Sequence, residues 1–109
     1  MEAKSSSVYS LIGLCQKAGK AISGGSMVEE AIRAGKAKLL IIAEDAGESM
    51  TKKFSDKANF YGVRMIYFGT RESLGQCIGK ELRSAIVITD EGLSKAIEKK
   101  YQQHLGVNA

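Results

Sequence analysis

Glu44 and Asp45 are the residues of this 109-residue chain best placed to do chemistry, since adjacent carboxylates can divide general acid and base work between them. They follow the apolar run Lys38-Leu39-Leu40-Ile41-Ile42-Ala43, and sites in α/β proteins gather at the carboxyl ends of such strands. No base, metal ligand or nucleophile accompanies the pair, so it reads as a solvated turn with a helix-capping acid. Cys15 and Cys77 are far apart and form no CxxC pair, and His104 is the only histidine. Zinc and a disulfide framework are therefore not expected, and both cysteines read as small core residues. A phosphate-loop pattern fails: Gly13 and Gly19-Lys20 are one residue too far apart, and Ala21 stands where the magnesium-binding hydroxyl belongs. No G-x-G-x-x-G follows a strand and no G-x-S-x-G is present. These absences predict a protein that is not an enzyme and has no cofactor, metal or small-molecule substrate.

The other chemically suggestive stretch is Gly24-Gly25-Ser26-Met27-Val28-Glu29-Glu30-Ala31-Ile32-Arg33-Ala34-Gly35-Lys36. Two glycines allow positive φ and a close backbone approach. Ser26 with Glu29 three positions later predicts a capping box, and Val28, Ala31 and Ile32 mark one apolar helical face. Gly35 is the expected left-handed stop, with Lys36 after it. A loop of bare amides feeding a helix N-terminus favours anionic ligands. The plain alternative is a surface loop with a well-capped helix.

These stretches need a scaffold to position them. Val8, Leu11, Ile12 and Cys15 predict a first helix, widened by Leu14 and Ala18, capped by Ser5-Ser6-Ser7 and stopped at Gly19. Residues 21–23 allow a short strand, and residues 38–43 a central strand buried on both faces. A third helix opens at Glu48 or Ser49, with Met50, Phe54, Ala58 and Tyr61 inward, and Gly62 ends it. Residues 63–68 form a strand. A short helix with Leu74, Cys77 and Ile78 closes at Gly79, and residues 80–83 form a polar loop. Residues 85–89 are the last strand. Asp90 caps a final helix with Leu93, Ala96, Ile97 and Tyr101 inward. Helices alternating with apolar strands predict an α/β sandwich with helices on both sheet faces. One domain over residues 1–109 is expected, with its core at about 8–101 and a frayed tail from Gln102.

The composition, 44% hydrophobic and 26% charged, is that of an ordinary soluble globular protein. No apolar run approaches the ~20 residues that span a membrane. Met1-Glu2-Ala3-Lys4-Ser5-Ser6-Ser7 has no signal-peptide core, which predicts a cytoplasmic protein without membrane partners. The net charge is +4. It lies in residues 17–41, with five basic against two acidic residues, and 63–83, with four against two. That excess hints at a polyanionic partner. The chain lacks the aromatic pattern of a base-stacking sheet, so any RNA would meet loops and a helix N-terminus, with lysines supplying a salt-sensitive contribution.

The glycine loop with its helix, residues 35–39 running through Ile42-Ala43-Glu44-Asp45-Ala46, and Leu74-Gly75-Gln76-Cys77-Ile78-Gly79 together resemble the ribosomal protein L7Ae family. Gly13-Leu14-Cys15-Gln16-Lys17-Ala18-Gly19-Lys20 and Thr89-Asp90-Glu91-Gly92-Leu93-Ser94-Lys95 fit its small bacterial YlxQ-like branch. The resemblance covers about residues 8–100. It implies a three-layer α/β/α sandwich around a four-stranded mixed sheet. It also implies binding to kink-turn RNA, a sharply bent duplex with tandem sheared G·A pairs, expected here in ribosomal RNA and by a monomer. In the family the glycine loop and the helix after it enter the major groove at those pairs, which assigns Gly24, Gly25, Ser26, Met27 and Glu30. The loop over a flipped-out nucleotide assigns Ile78, Gly79, Lys80, Glu81 and Leu82. Asp45 and Gly47 of the Glu44–Gly47 turn flank that base with Arg71, and Lys20, Lys36 and Lys38 are expected phosphate contacts or local field.

This chain departs from the family pattern at Gly25, Ser26, Met27 and Glu30. RNA-binding relatives typically carry Gly-Thr-Asn-Glu and then a lysine three positions on, where this chain has Gly24-Gly25-Ser26-Met27 and then Glu30. Met27 cannot accept a hydrogen bond from a guanine edge, and a bidentate base contact is worth about 1–3 kcal/mol. Weakened sequence reading is therefore expected. The second reading is a protein-interaction module on the same fold with weak or lost RNA binding.

Overall fold

The computed structural model describes residues 3–106. Met1 and Glu2, read above as part of an N-terminus without a signal peptide, and residues 107–109 of the expected tail lie outside the described residues. The elements alternate as expected: α1 (Ala3–Lys17), β1 (Ala21–Ser23), α2 (Gly25–Arg33), β2 (Leu39–Ile42), α3 (Glu48–Tyr61), β3 (Met65–Tyr67), α4 (Arg71–Cys77), β4 (Ala85–Ile88) and α5 (Glu91–His104). No helix among the described residues is long and apolar enough to cross a membrane.

The four strands form one mixed sheet in the order β1-β4-β2-β3. β4 runs antiparallel to both β1 and β2, whereas β2 and β3 are parallel. β1, β2 and β3 therefore point the same way. Right-handed crossovers from β1 to β2 and from β2 to β3, stepping in one direction across the sheet, place α2 and α3 on one face. Side-chain alternation matches. Leu40, Ile42, Ala85 and Val87 pack with Val28, Ala31 and Ile32 of α2 and Phe54 and Ala58 of α3. Leu39, Ile41, Ile86 and Ile88 pack on the other face with Val8, Ile12, Cys15, Leu74 and Ile97 from α1, α4 and α5. The result is a three-layer α/β/α sandwich. β2 and β4 are buried at every position because they are the inner strands and are covered on both sides.

Four local expectations are corrected. The serines do not cap α1, which begins at Ala3, so Ser6 and Ser7 lie within it. The predicted Ser26–Glu29 capping box does not form, because α2 starts two residues earlier and takes Gly24 as its N-cap. Glu29 instead lies 2.6 Å from the Lys53 ammonium and 3.9 Å from that of Lys57 on α3. The Lys53 hydrogen bond holds its carboxyl below the usual carboxylate range. Leu14 and Ala18 beside the α1 stripe and Tyr61 on the α3 stripe are exposed rather than inward, because both stripes are narrower than their periodicity suggests and α1 ends at Lys17, before Ala18. Finally, α5 continues through His104, whose ring meets Phe68 edge-on at 5.3 Å, and Phe68 in turn packs on Tyr9 at 4.7 Å.

The cap at Asp90 forms as expected, its carboxylate accepting from the Leu93 amide at 2.8 Å. Asp90→Ala is therefore expected to lower stability by about 1 kcal/mol, while Ser26→Ala, which removes no cap, changes it by less than about 0.5 kcal/mol. Urea denaturation midpoints of the two variants check this contrast.

Candidate nucleic-acid interface

Because β1, β2 and β3 run parallel, their carboxyl ends lie at one edge of the sheet, and the amino end of β4 joins them there. Ser23 pairs with Ile86, and Ile42 lies between Ala85 and Tyr67. Four connections thus converge: residues 24–25 after β1, 43–47 after β2, 68–70 after β3 and 82–84 before β4.

Polar contacts tie them together. Asp45 accepts from the Arg71 amide at 2.8 Å, with the Arg71 guanidinium 3.8 Å away. The Arg71 carbonyl accepts from the Arg83 amide at 3.0 Å, and Arg83 Nε donates to Ser23 Oγ at 3.1 Å. Arg83 also donates to the Leu82 carbonyl at 2.8 Å, which pins the loop tip. Gly24, Gly25, Leu82 and Arg83 line one cavity of about 210 Å³ with Met50 and Phe54.

Helix capping differs from helix to helix. α2 and α3 both start at this edge, and their N-caps, Gly24 (φ 99°) and Gly47 (φ 91°), give no side-chain hydrogen bond to the first turn. No L side chain adopts that φ easily, and glycine offers no acceptor of its own. The α2 amides of Gly25, Ser26 and Met27 are left to the solvent side, because the first intrahelical bond is Val28 N–H to the Gly24 carbonyl at 2.9 Å. α3 carries Glu48 in its first turn and α2 carries no acid there. The α2 terminus is therefore the one left with uncompensated positive partial charge. By contrast, Thr70 and Asp90 cap α4 and α5 with their side chains.

The structure brings Gly24, Gly25, Ser26, Met27, Asp45, Gly47, Arg71 and Leu82 to this edge. Glu30 sits one turn along α2, in a groove of about 420 Å³ that Ser26, Met27 and Lys36 also line. Lys80 and Glu81 are exposed on the returning loop. Ile78 is 5% exposed and packs in the core, so its side chain is not at the surface, and Gly79 turns the chain behind it at φ 72°. Lys20 and Lys38 lie at the opposite edge, where Thr89 N–H meets the Lys20 carbonyl and Lys38 N–H meets that of Ile88. They stand a strand's length from the glycine loop, roughly 13 Å at 3.3 Å per residue.

Two contributors were not singled out from the sequence. Arg83 was read only as part of a polar loop, though its charge falls in the second basic segment. The α3 N-terminus could have been suspected from Gly47, which precedes Glu48 as Gly24 precedes Gly25.

The two cysteines stay out of the site. Burial pushes the thiols of Cys15 and Cys77 up to about 11. Thiolate at pH 8 is then about one part in a thousand, so neither is expected to react with a thiol reagent on the native protein, whereas both react in denaturant. A colorimetric thiol titration measures this.

Comparison with known proteins adds a relationship to this geometry. The family model described as ribosomal protein L7Ae/L30e/S12e/Gadd45 family matches residues 6–98. The chain is similar to "RNA-binding protein YlxQ" of Bacillus subtilis (strain 168), with 38% identity over 89 residues, covering 82% of this chain and 89% of that protein. A solved structure of a protein with unknown function from Bacillus halodurans C superposes with a TM-score of 0.82 at 33% identity, covering 85% of this chain and 94% of that one. The Giardia lamblia 15.5kD RNA binding protein shares the fold alone, with a TM-score of 0.75 at 17% identity over 97% of this chain and 91% of that one.

Proposed function

The chain belongs to the ribosomal protein L7Ae/L30e/S12e/Gadd45 family, and from that premise we propose that it is a non-enzymatic, monomeric, ribosome-associated RNA-binding protein that recognises kink-turn RNA. The observation that carries this reading is the glycine-capped N-terminus of α2, bare of side-chain acceptors, beside the Leu82–Arg83 loop tip at one sheet edge. Free amides on a helix terminus suit phosphate oxygens and the polar edges of non-standard base pairs. Gly24 and Gly25 let RNA approach without a Cβ in the way: open space surrounds both. Leu82, 56% exposed, offers an apolar surface for an extruded base. Arg83 and Arg71 supply positive charge on either side. Lys36 adds charge along α2, while Lys20 and Lys38 reach only RNA that continues past the far edge.

Anisotropy titrations against a kink-turn RNA, and against the same RNA with its tandem G·A pairs replaced by Watson–Crick pairs, test the reading. Tighter binding to the intact kink-turn at moderate salt is expected, and equal affinity for the two would sink kink-turn recognition.

One observation favours the second reading, a protein-interaction module with weak RNA binding. Met27 is 62% exposed and overhangs the groove beside Ile22, Ala31 and Ala34, an apolar lining within reach of a partner. No RNA binding at all, together with a partner that co-purifies after RNase treatment, would replace the first reading with this one.

A further inference from the structure

At the end of α3 remote from the glycine loop, two aromatic rings stand in solvent. Phe60 is 81% exposed and Tyr61 41% exposed. Their rings contact each other edge to face, with centroids 4.9 Å apart, and neither ring joins the core. A lone exposed apolar side chain is ordinary, but two adjacent aromatics leave a large area in water with nothing gained on folding. Together with Lys53, Asp56 and Lys57 they line an open cavity of about 510 Å³.

The charge around the rings selects the kind of occupant. Lys53 and Lys57 share this face with two carboxylates, Asp56 and Glu29, and Lys52 pairs with Asp56 from the adjoining face. Lys52 bonds Asp56 at 2.9 Å, and Glu29 is shared between Lys53 and Lys57. A single carboxylate cannot neutralise two ammonium groups, so Lys53 and Lys57 keep net positive charge beside the rings; Glu29 and Lys57 are half-buried, while Lys53 stands exposed. Lys36 and Lys38 precede β2, so they lie at the same sheet edge as the end of α3. Ala37 and Val63, on the connections into β2 and β3, pack against one core cluster. A protein-docking surface is depleted in lysine at its centre, whereas aromatic faces flanked by lysines are the arrangement that binds single strands.

We propose that Phe60 and Tyr61 are a stacking platform for unpaired bases of single-stranded RNA whose phosphates are held by Lys53 and Lys57. This is a second contact, roughly 20 Å from the glycine loop at 1.5 Å per residue along α3. The inference rests on the RNA-binding reading but not on the kink-turn. A strand leaving a duplex docked at the glycine loop would run along the α2–α3 face and reach the rings.

Anisotropy with a labelled unpaired oligouridine and, separately, with a blunt-ended kink-turn RNA tests it. Wild type should bind the oligouridine, and Phe60→Ala should weaken that binding about tenfold or more. Phe60→Tyr should retain it, and Phe60→Ala should leave blunt kink-turn affinity unchanged. The ring is mostly in solvent, so Phe60→Ala folds normally, which circular dichroism checks. Inorganic polyphosphate, which has charge but no bases, should bind wild type and Phe60→Ala alike. Failure of wild type to bind oligouridine overturns the platform, as does an unchanged affinity in Phe60→Ala; an accompanying protein partner would then mark the patch as a protein surface. If the oligouridine binds through Phe60 but the kink-turn RNA does not bind, the platform stands and the kink-turn reading falls.

Discussion

Gly75→Ala is expected to destabilise the protein by about 3 kcal/mol or more and to displace the loop of residues 80–83. A Cβ on Gly75 would lie 1.4 Å from the Glu81 carbonyl oxygen and 2.5 Å from its carbon. The obstacle is backbone, so no side-chain rotation relieves it. The chain is held there because the Gly75 carbonyl accepts from the Ile78 amide at 3.2 Å and the Lys80 amide at 2.8 Å. Moving residues 80–81 would strain the Arg83–Arg71 and Arg83–Ser23 hydrogen bonds that seat Leu82 beside the glycine loop. RNA affinity should therefore fall with stability. Gly25→Ala is the control: open space surrounds the position, and its stability should stay within about 0.5 kcal/mol of wild type. Guanidinium denaturation and RNA titration of both variants check the pair, and wild-type stability in Gly75→Ala would mean that the loop does not cross the helix there.

Met27→Glu combined with Glu30→Lys is expected to raise kink-turn RNA affinity by about tenfold or more. Restoring one bidentate base contact is worth about 1–3 kcal/mol. Reversing the charge at residue 30 removes a repulsion and adds one phosphate contact, which should steepen the salt dependence by about one unit of log-log slope. Stability should barely change. Met27 is 62% exposed, and among the described residues Glu30 pairs only with Arg33, itself exposed on the same helix, a contact of the weak surface kind. Titration at two salt concentrations separates the two contributions: base reading raises affinity at both, and charge alone raises it chiefly at low salt. An unchanged affinity would mean that this face of α2 does not meet the RNA.

The parts of the fold legible in the sequence were those set by local chemistry. The central strand was readable because residues 39–42 are apolar without alternation, as burial on two faces demands. Gly35 and Gly62 were readable as stops because both adopt positive φ, at 77° and 71°. Asp90 was readable as a cap because its side chain has one nearby amide to serve. Ser26 misled because it obeyed the same local grammar. The helix could be capped at Gly24 or two residues later at Ser26, and packing of Val28 and Ile32 under the sheet, with Glu29 drawn to Lys53, decided for Gly24. Tyr61 misled because the spacing that buries Phe54 and Ala58 continues past the point where the sheet ends.

The candidate site was legible as residue types but not as a place. By itself the sequence determined the elements, their order, the glycine stops at Gly35 and Gly62 and the basic segments, because each follows from interactions within a few residues. Only the tertiary structure decided which of these share an edge. Inserting β4 between β1 and β2 gathers the ends of three parallel strands, so that Gly24, Asp45, Arg71 and Arg83 become neighbours. The same order sends Lys20 and Lys38 to the far side and takes Ile78 into the core. Strand order depends on contacts between residues some sixty positions apart, such as Ser23 with Arg83, and no local pattern carries that information.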